Sequence, residues 1–281
     1  MKKLVFIGAG SMAEAIISGI IKSKWVNPSD IWVTNNSNKE RLSSLQRQYG
    51  VTISYDLNIL FNEAEAVVLA MKPNNAIQAI MKIRTYLSTE ILVISILAGI
   101  SSNSIEEISG KTLAIARAMP NTSAAIGKSA TAIAVNHSVS TQQIKIIRKL
   151  FETIGITTFV AEKELDSVTG LSGSGPAYIY FLFEAMEKAS YELGLDQEIA
   201  KRLVVQTFIG AAEMVKISQK SPKQLRKEVT SPGGTTEVGI HILEESRVQQ
   251  ALIECIKATA IQSKKIGSTF SLEINSKNLE F

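Results

Sequence analysis

The stretch "LVFIGAGSMAEAI", Leu4 to Ile16, decides how the chain begins to fold. Four apolar residues run into Gly-x-Gly and then into helix-forming sequence. This order predicts a buried strand, a tight turn and a helix. In that context Gly8-Ala9-Gly10-Ser11-Met12-Ala13 reads as a G-x-G-x-x-A fingerprint. Gly8 permits the turn, Gly10 lets the backbone approach a pyrophosphate, and Ala13 still allows close helix–strand packing. The helix start offers unpaired N–H groups and partial positive charge to phosphates.

Outward from this stretch the first half alternates strand-like and helix-like runs. The strand candidates are "KLVFIG", "DIWVTN", "VTISY", "EAVVLAM", "ILVISIL" and "TLAIARAM", with "ATAIAVN" and "TTFVAE" further along. Their near-continuous apolar character suits strands covered on both faces. Between them lie helical patterns such as "KERLSSLQRQYG" and "STQQIKIIRKLFETIG". The order predicts a doubly wound, mostly parallel sheet, a Rossmann-type α/β domain over residues 1–161. Past Ala161 the strand pattern stops and long helical patterns follow. Residues 162–281 are therefore expected to form an all-α domain. The segment from Tyr178 to Met186 is apolar on nearly every side, so it must be covered all round, in part by a partner subunit.

Composition narrows the function classes. The chain has 281 residues and a formal net charge of +4, with lysines and arginines spread along its length. Without a basic block and interleaved aromatics, nucleic acid is not an expected partner. The longest apolar run, "ILVISILAGI", is too short to span a bilayer, so no membrane association is expected. The single cysteine, Cys255, excludes an internal disulfide and reads as a small buried residue on a helix. A cytoplasmic location follows as the expectation. The two histidines, His137 and His241, are read as a loop residue and a helical residue. No metal-ligand spacing stands out, so no metal is expected.

The end of the second strand reads "WVTNNSNKER". A preference for NAD usually places Asp or Glu there, on the ribose hydroxyls. Here Thr34, Asn35, Asn36 and Ser37 offer neutral donors, and Lys39 and Arg41 are the nearest cations. This leans to NADP, with NADPH preferred and NADH possible. Two more strand ends, Ala70-Met71-Lys72-Pro73 and Ala98-Gly99, are candidates for the wall of a cofactor site. "TSPGGTTEVG" brings Gly233 and Gly234 to a helix start, where bare backbone amides suit an anion such as a carboxylate. Ser231 or a neighbouring threonine is expected to cap that helix. The same stretch also reads as a plain interhelical turn. The absence of an evident strong acid or base points to chemistry done by a cofactor.

The segments "GAGSMAEAI", "AMKP", "SILAGI", "RAMPNT", "VTGLSGSGPAYIY" and "VTSPGGTTEVGIHILEE" together resemble pyrroline-5-carboxylate reductases, from the N-terminus to about Gly267. The resemblance implies NAD(P)H-dependent reduction of 1-pyrroline-5-carboxylate to L-proline, and a homodimer formed through the C-terminal helices, in some members a decamer of five dimers. It implies that the substrate carboxylate rests on amides around Gly233, Gly234 and Thr235, beside Ser231. Thr236 would hydrogen-bond the ring nitrogen, and Glu162 matches a position near substrate. "AMKP" and "SILAGI" would touch the cofactor. The chain departs from the common pattern at Asn36, where Arg is frequent, at Leu57 and Asn74, where Asn and Gln are frequent, and at Ser123, where Pro is frequent. A reductase of another small cyclic imine or oxo acid, and a non-catalytic nucleotide-binding relative, remain the alternatives.

Overall fold

A computed structural model describes residues 2–276. All eight expected strands form: β1 (Leu4–Ile7), β2 (Ile31–Thr34), β3 (Thr52–Ile53), β4 (Ala66–Leu69), β5 (Leu92–Ser95), β6 (Ala114–Met119), β7 (Ser129–Val135) and β8 (Gly155–Phe159). They build one sheet in the order β3-β2-β1-β4-β5-β6-β7-β8. Every neighbouring pair is parallel except β6 and β7, which run antiparallel from Ala116 opposite Val135 to Met119 opposite Ala132. The strand order reverses between β1 and β4. That reversal opens a crevice at the carboxyl ends of the two strands, where doubly wound folds bind ligands.

The pleat sends alternate residues to opposite layers. Leu4 and Phe6 join a cluster with Ile16, Ile20, Leu42, Leu150 and Phe151. These come from α1 (Ser11–Ser23), α2 (Lys39–Tyr49) and α6 (Thr141–Glu152). Val5 and Ile7 join a second cluster with Leu60, Ile80 and Ile105, which come from α3 (Leu57–Phe61), α4 (Ala76–Ile83) and α5 (Ser102–Ser109). Phe270 and Ile274, near the end of the last helix, belong to that same layer.

Beyond β8 come α7 (Leu165–Val168), one π-helical turn (Thr169–Gly173), and then α8 (Gly175–Glu192), α9 (Gln197–Ile217), α10 (Pro222–Glu228), α11 (Thr235–Glu245) and α12 (Val248–Ser276). Contacts divide the chain into two compact units, one of residues up to Ser174 with those from Lys257 onward, the other Gly175–Ile256. The switch from strands to helices after Ala161 is thus not where the compact units part. Leu165 packs with Met119, Ala132 and Ala134, and Ser263 Oγ donates to Asp166 at 2.7 Å. These contacts tie α7 and the second half of α12 to the sheet.

Within the Gly175–Ile256 unit, α8 and α9 pair through stacked Phe183 and Phe208, with ring centroids 4.2 Å apart. Arg226 and Glu244 link α10 to α11. Few of its apolar side chains are covered in the single protomer: Phe181 is 71% exposed and Ile217 75%. The expectation of a helix buried all round at Tyr178 to Met186 is not met within one chain. Cys255, expected to be buried, is exposed in the single chain.

Candidate active site

The crevice between β1 and β4 is a groove of about 600 Å3. Gly8 shapes its floor with φ +116°, and a Cβ there would lie 2.5 Å from the Ala70 carbonyl carbon and oxygen. Only glycine fits that crossing. Gly10 differs: its φ is −75°, and a Cβ would meet nothing within 4 Å of protein. A side chain there would point into open space at the groove. Gly10 is also the N-cap of α1 and supplies no side-chain cap, so the first-turn amides stay free for an anion. Ala13 is fully buried against the core and does not line the groove.

At the β2 end, Thr34, Asn35, Asn36, Ser37, Asn38 and Arg41 line the groove. Asn35 is committed at both ends of its amide: Nδ2 donates to the Asn38 carbonyl at 2.7 Å, and Oδ1 accepts from the Tyr55 hydroxyl at 3.0 Å. Asn38 caps α2 through the Arg41 N–H. Arg41 crosses to the Gly-rich turn, where Nε donates to the Ala9 carbonyl at 2.8 Å and Nη2 pairs with Glu14. Glu14 also accepts from Tyr49 at 3.1 Å. Burial, and then this bond, push the Tyr49 hydroxyl above its ordinary pKa. Leu57 lines the groove, whereas Asn58 accepts from the Tyr86 hydroxyl.

Ala70, Met71 and Lys72 line the opposite wall; Ser11, Met12, Pro73, Ala98 and Gly99 are not among the lining residues. Gly99 closes a turn with φ +76° and sits against α12, where a Cβ on Gly267 would come within 2.3 Å of the Gly99 carbonyl oxygen. The turn is held again at its far end. Glu162 Oε1 accepts the Ser102 N–H at 2.7 Å, at the first residue of α5. The same oxygen pairs with Arg117 Nη1 at 3.0 Å. Arg117 is buried, and its Nε has no hydrogen-bond partner.

The turn at 231–236 lies in the Gly175–Ile256 unit. Gly233 takes φ +73°, and its N–H donates to Glu237 Oε2 at 2.8 Å. Gly234 N–H donates to the Ser231 carbonyl at 3.0 Å. Gly234, not Ser231, is the N-cap of α11, and it brings no side-chain cap. Ser231 stands three residues too early to reach the first-turn amides as a cap; its carbonyl closes the turn. Thr235 and Thr236 therefore open α11, both exposed, at a helix start suited to an anion.

Comparison with known proteins places these features in a family. A family model described as pyrroline-5-carboxylate reductase dimerisation matches residues 162–266. One described as NADP oxidoreductase coenzyme F420-dependent matches residues 3–99. A protein of Bacillus subtilis (strain 168) named pyrroline-5-carboxylate reductase 2 is 49% identical over 271 residues, covering 96% of this chain and 97% of its own. The chain belongs to the pyrroline-5-carboxylate reductase family.

Solved members of the reductase family share the fold. The enzyme from Coxiella burnetii aligns with TM-score 0.85 at 36% identity, over 94% of this chain and 98% of its own. The Plasmodium falciparum pyrroline carboxylate reductase, solved with NADP bound, aligns with TM-score 0.87 at 31% identity over the same shares. Against that family background, the departures at Asn36 and Leu57 sit on the groove wall. Those at Asn74 and Ser123 lie outside its lining. Sequence reasoning missed Tyr55, which fixes Asn35, and Glu237, which fixes Gly233. An aromatic just after a strand and a glutamate at the third position of a helix were the available signals. His137 lies in a turn and His241 in α11, as expected. Among the described residues no helix is long and apolar enough to cross a membrane.

Proposed function

We propose that this chain reduces 1-pyrroline-5-carboxylate to L-proline, with NADPH as the preferred reductant and NADH as a poorer one. The groove suits a dinucleotide: Gly10 leaves room that a Cβ would fill, and the start of α1 presents uncapped amides. Gly8 to Gly10, Thr34 to Asn36 and Ala70 to Lys72 line the groove and hold the cofactor; Ser11, Met12, Pro73, Ala98 and Gly99 extend the site from the helix start and the neighbouring strand ends, and Ala13 packs α1 behind it. The cofactor supplies a hydride to the imine carbon when bound. The chain's own task is then to orient the ring, anchor its carboxylate and hydrogen-bond its nitrogen. Ser231, Gly233, Gly234 and Thr235 form the carboxylate cradle around the start of α11. Gly233 and Gly234 give it shape, since their amides already have protein acceptors. Thr236 serves as the catalytic hydroxyl at the ring nitrogen, and the proton that completes the amine comes from solvent. Glu162 stands at the substrate end of the Ala98–Gly99 turn.

The observation that carries this reading is the 49% identity to a named reductase across 271 residues, which spans both the groove and the 231–236 turn. We propose further that two protomers pair through the C-terminal helices, that five such dimers form a decamer, and that the protein works in the cytoplasm. The uncovered apolar side chains of α8 and α9 support the pairing. The test is NADPH oxidation with the cyclic imine acid set against other cyclic imines and oxo acids. The highest kcat/KM is expected for 1-pyrroline-5-carboxylate. A better substrate, or no turnover from folded protein, overturns the assignment.

A further inference from the structure

We infer that Arg41 supplies the cationic contact for the 2′-phosphate of NADPH, with Asn36 and Ser37 as neutral donors beside it. The inference rests on the cofactor reading above and identifies the residue of this chain that selects the phosphorylated form.

The sequence leaves Lys39 and Arg41 as cations near the end of β2. The structure separates them. Lys39 opens α2, exposed, and does not line the groove, whereas Arg41 does. Asn35 is spent on Asn38 and Tyr55, and Thr34 is buried. The neutral donors left at that wall are Asn36, Ser37 and the Asn38 side-chain amide, whose oxygen caps α2. None carries charge, and a phosphate dianion calls for at least one cation.

Arg41 is held ready for that task. Its Nε is bonded to the Ala9 carbonyl and its Nη2 to Glu14. Two bonds fix the plane of the guanidinium, so little rotamer freedom remains to be lost on binding. Nη1, with two N–H groups, has no protein partner among the described residues. Glu14 offsets part of the positive charge. A partly neutralised arginine favours a 2′-phosphate without demanding one. Lys72 and Lys82 also line the groove but stand on the side of β4 and α4.

The experiment uses the full-length protein and two probes, 2′,5′-ADP and 5′-ADP, with affinities read by calorimetry, so no turnover is required. The wild type is expected to bind 2′,5′-ADP more tightly. Arg41→Gln should weaken 2′,5′-ADP by about tenfold or more, the size of one lost charged contact, and change 5′-ADP by less than about threefold. Arg41→Lys should recover part of the loss. Glu14→Gln, which leaves Arg41 in place and removes its counter-charge, should tighten 2′,5′-ADP several-fold, and it carries the test if Arg41→Gln does not fold. Equal weakening of both probes would reduce Arg41 to a prop for the Gly-rich turn and overturn the inference. Unchanged 2′,5′-ADP affinity in either folded variant overturns it too. If the wild type binds neither probe, the dinucleotide reading itself fails, a result distinct from the other two.

Discussion

Arg117 and Glu162 form an ion pair at 3.0 Å across 45 residues of chain, and the carboxylate oxygen that holds Arg117 also holds the first amide of α5. The pair fixes where α5 begins, and so fixes the Ala98–Gly99 turn that precedes it. Removing the acid leaves a buried guanidinium without a counter-charge. Glu162 is one-third exposed, so water offsets part of that penalty. Glu162→Ala should destabilise the protein by about 1–3 kcal/mol, below the range for a fully buried pair. Glu162→Gln keeps an acceptor for Ser102 and should lose less. Denaturant unfolding measures both; equal losses would mean that the amide contact contributes nothing.

The two glycines of the first turn make opposite predictions. Gly8→Ala forces a Cβ into the Ala70 backbone at a φ that side chains rarely adopt, and should cost about 3 kcal/mol or more. Gly10→Ala meets no protein atom and should stay within about 1 kcal/mol of the wild type. It should still weaken NADPH roughly tenfold by filling ligand space. Thermal unfolding and nucleotide titration separate the two effects. Unaltered NADPH affinity in Gly10→Ala would place the pyrophosphate elsewhere.

Thr236 is exposed at the start of α11, so its hydroxyl carries no packing role in the protomer. Thr236→Ala should leave stability nearly unchanged and lower kcat by about one to two orders of magnitude, the effect of one oriented hydrogen bond at a reacting centre. Steady-state kinetics on folded variant decides; wild-type turnover removes Thr236 from the mechanism.

Glu237 holds the Gly233 amide at 2.8 Å and so sets the shape of the glycine turn. Glu237→Ala should loosen the cradle and raise KM for the imine acid by roughly fivefold, equivalent to about 1 kcal/mol. KM for NADPH should not follow. A drop in the imine KM would show instead that Glu237 competes with the substrate carboxylate for that amide.

Tyr49 predicts a pH dependence. Its hydroxyl is raised above the ordinary value by burial and by Glu14. The folded chain therefore keeps the phenol proton more tightly than the unfolded chain. The stability this contributes is fully present below about pH 10, the unfolded value, and is lost as pH rises through the higher folded value. Tyr49→Phe should flatten the alkaline fall in stability, seen by denaturant unfolding at a series of pH values. An unchanged fall would assign it to other groups.

All eight strands and the main helices were legible because each announces itself locally. Runs such as Val67 to Leu69 are apolar at every position, and the helical segments repeat at helical spacing. The Gly8–Ala13 turn was legible for the same reason, and the 231–236 motif marked a special turn.

What the sequence by itself determined is the alternation of elements, the change to helices after Ala161, and the chemical types at the strand ends. Tertiary structure alone decided that β7 runs against β6, that Gly234 rather than Ser231 caps α11, and that the second half of α12 returns to the sheet through Phe270, Ile274 and Gly267. It also decided that Asn35 serves Tyr55 while Arg41 keeps one edge free. Periodicity and turn chemistry act over a few neighbouring residues, whereas most of these pairings join residues distant in the chain, whose partners are fixed only once the layers have packed. The cap of α11 is a local choice, left open because the turn offers several candidate caps within four residues.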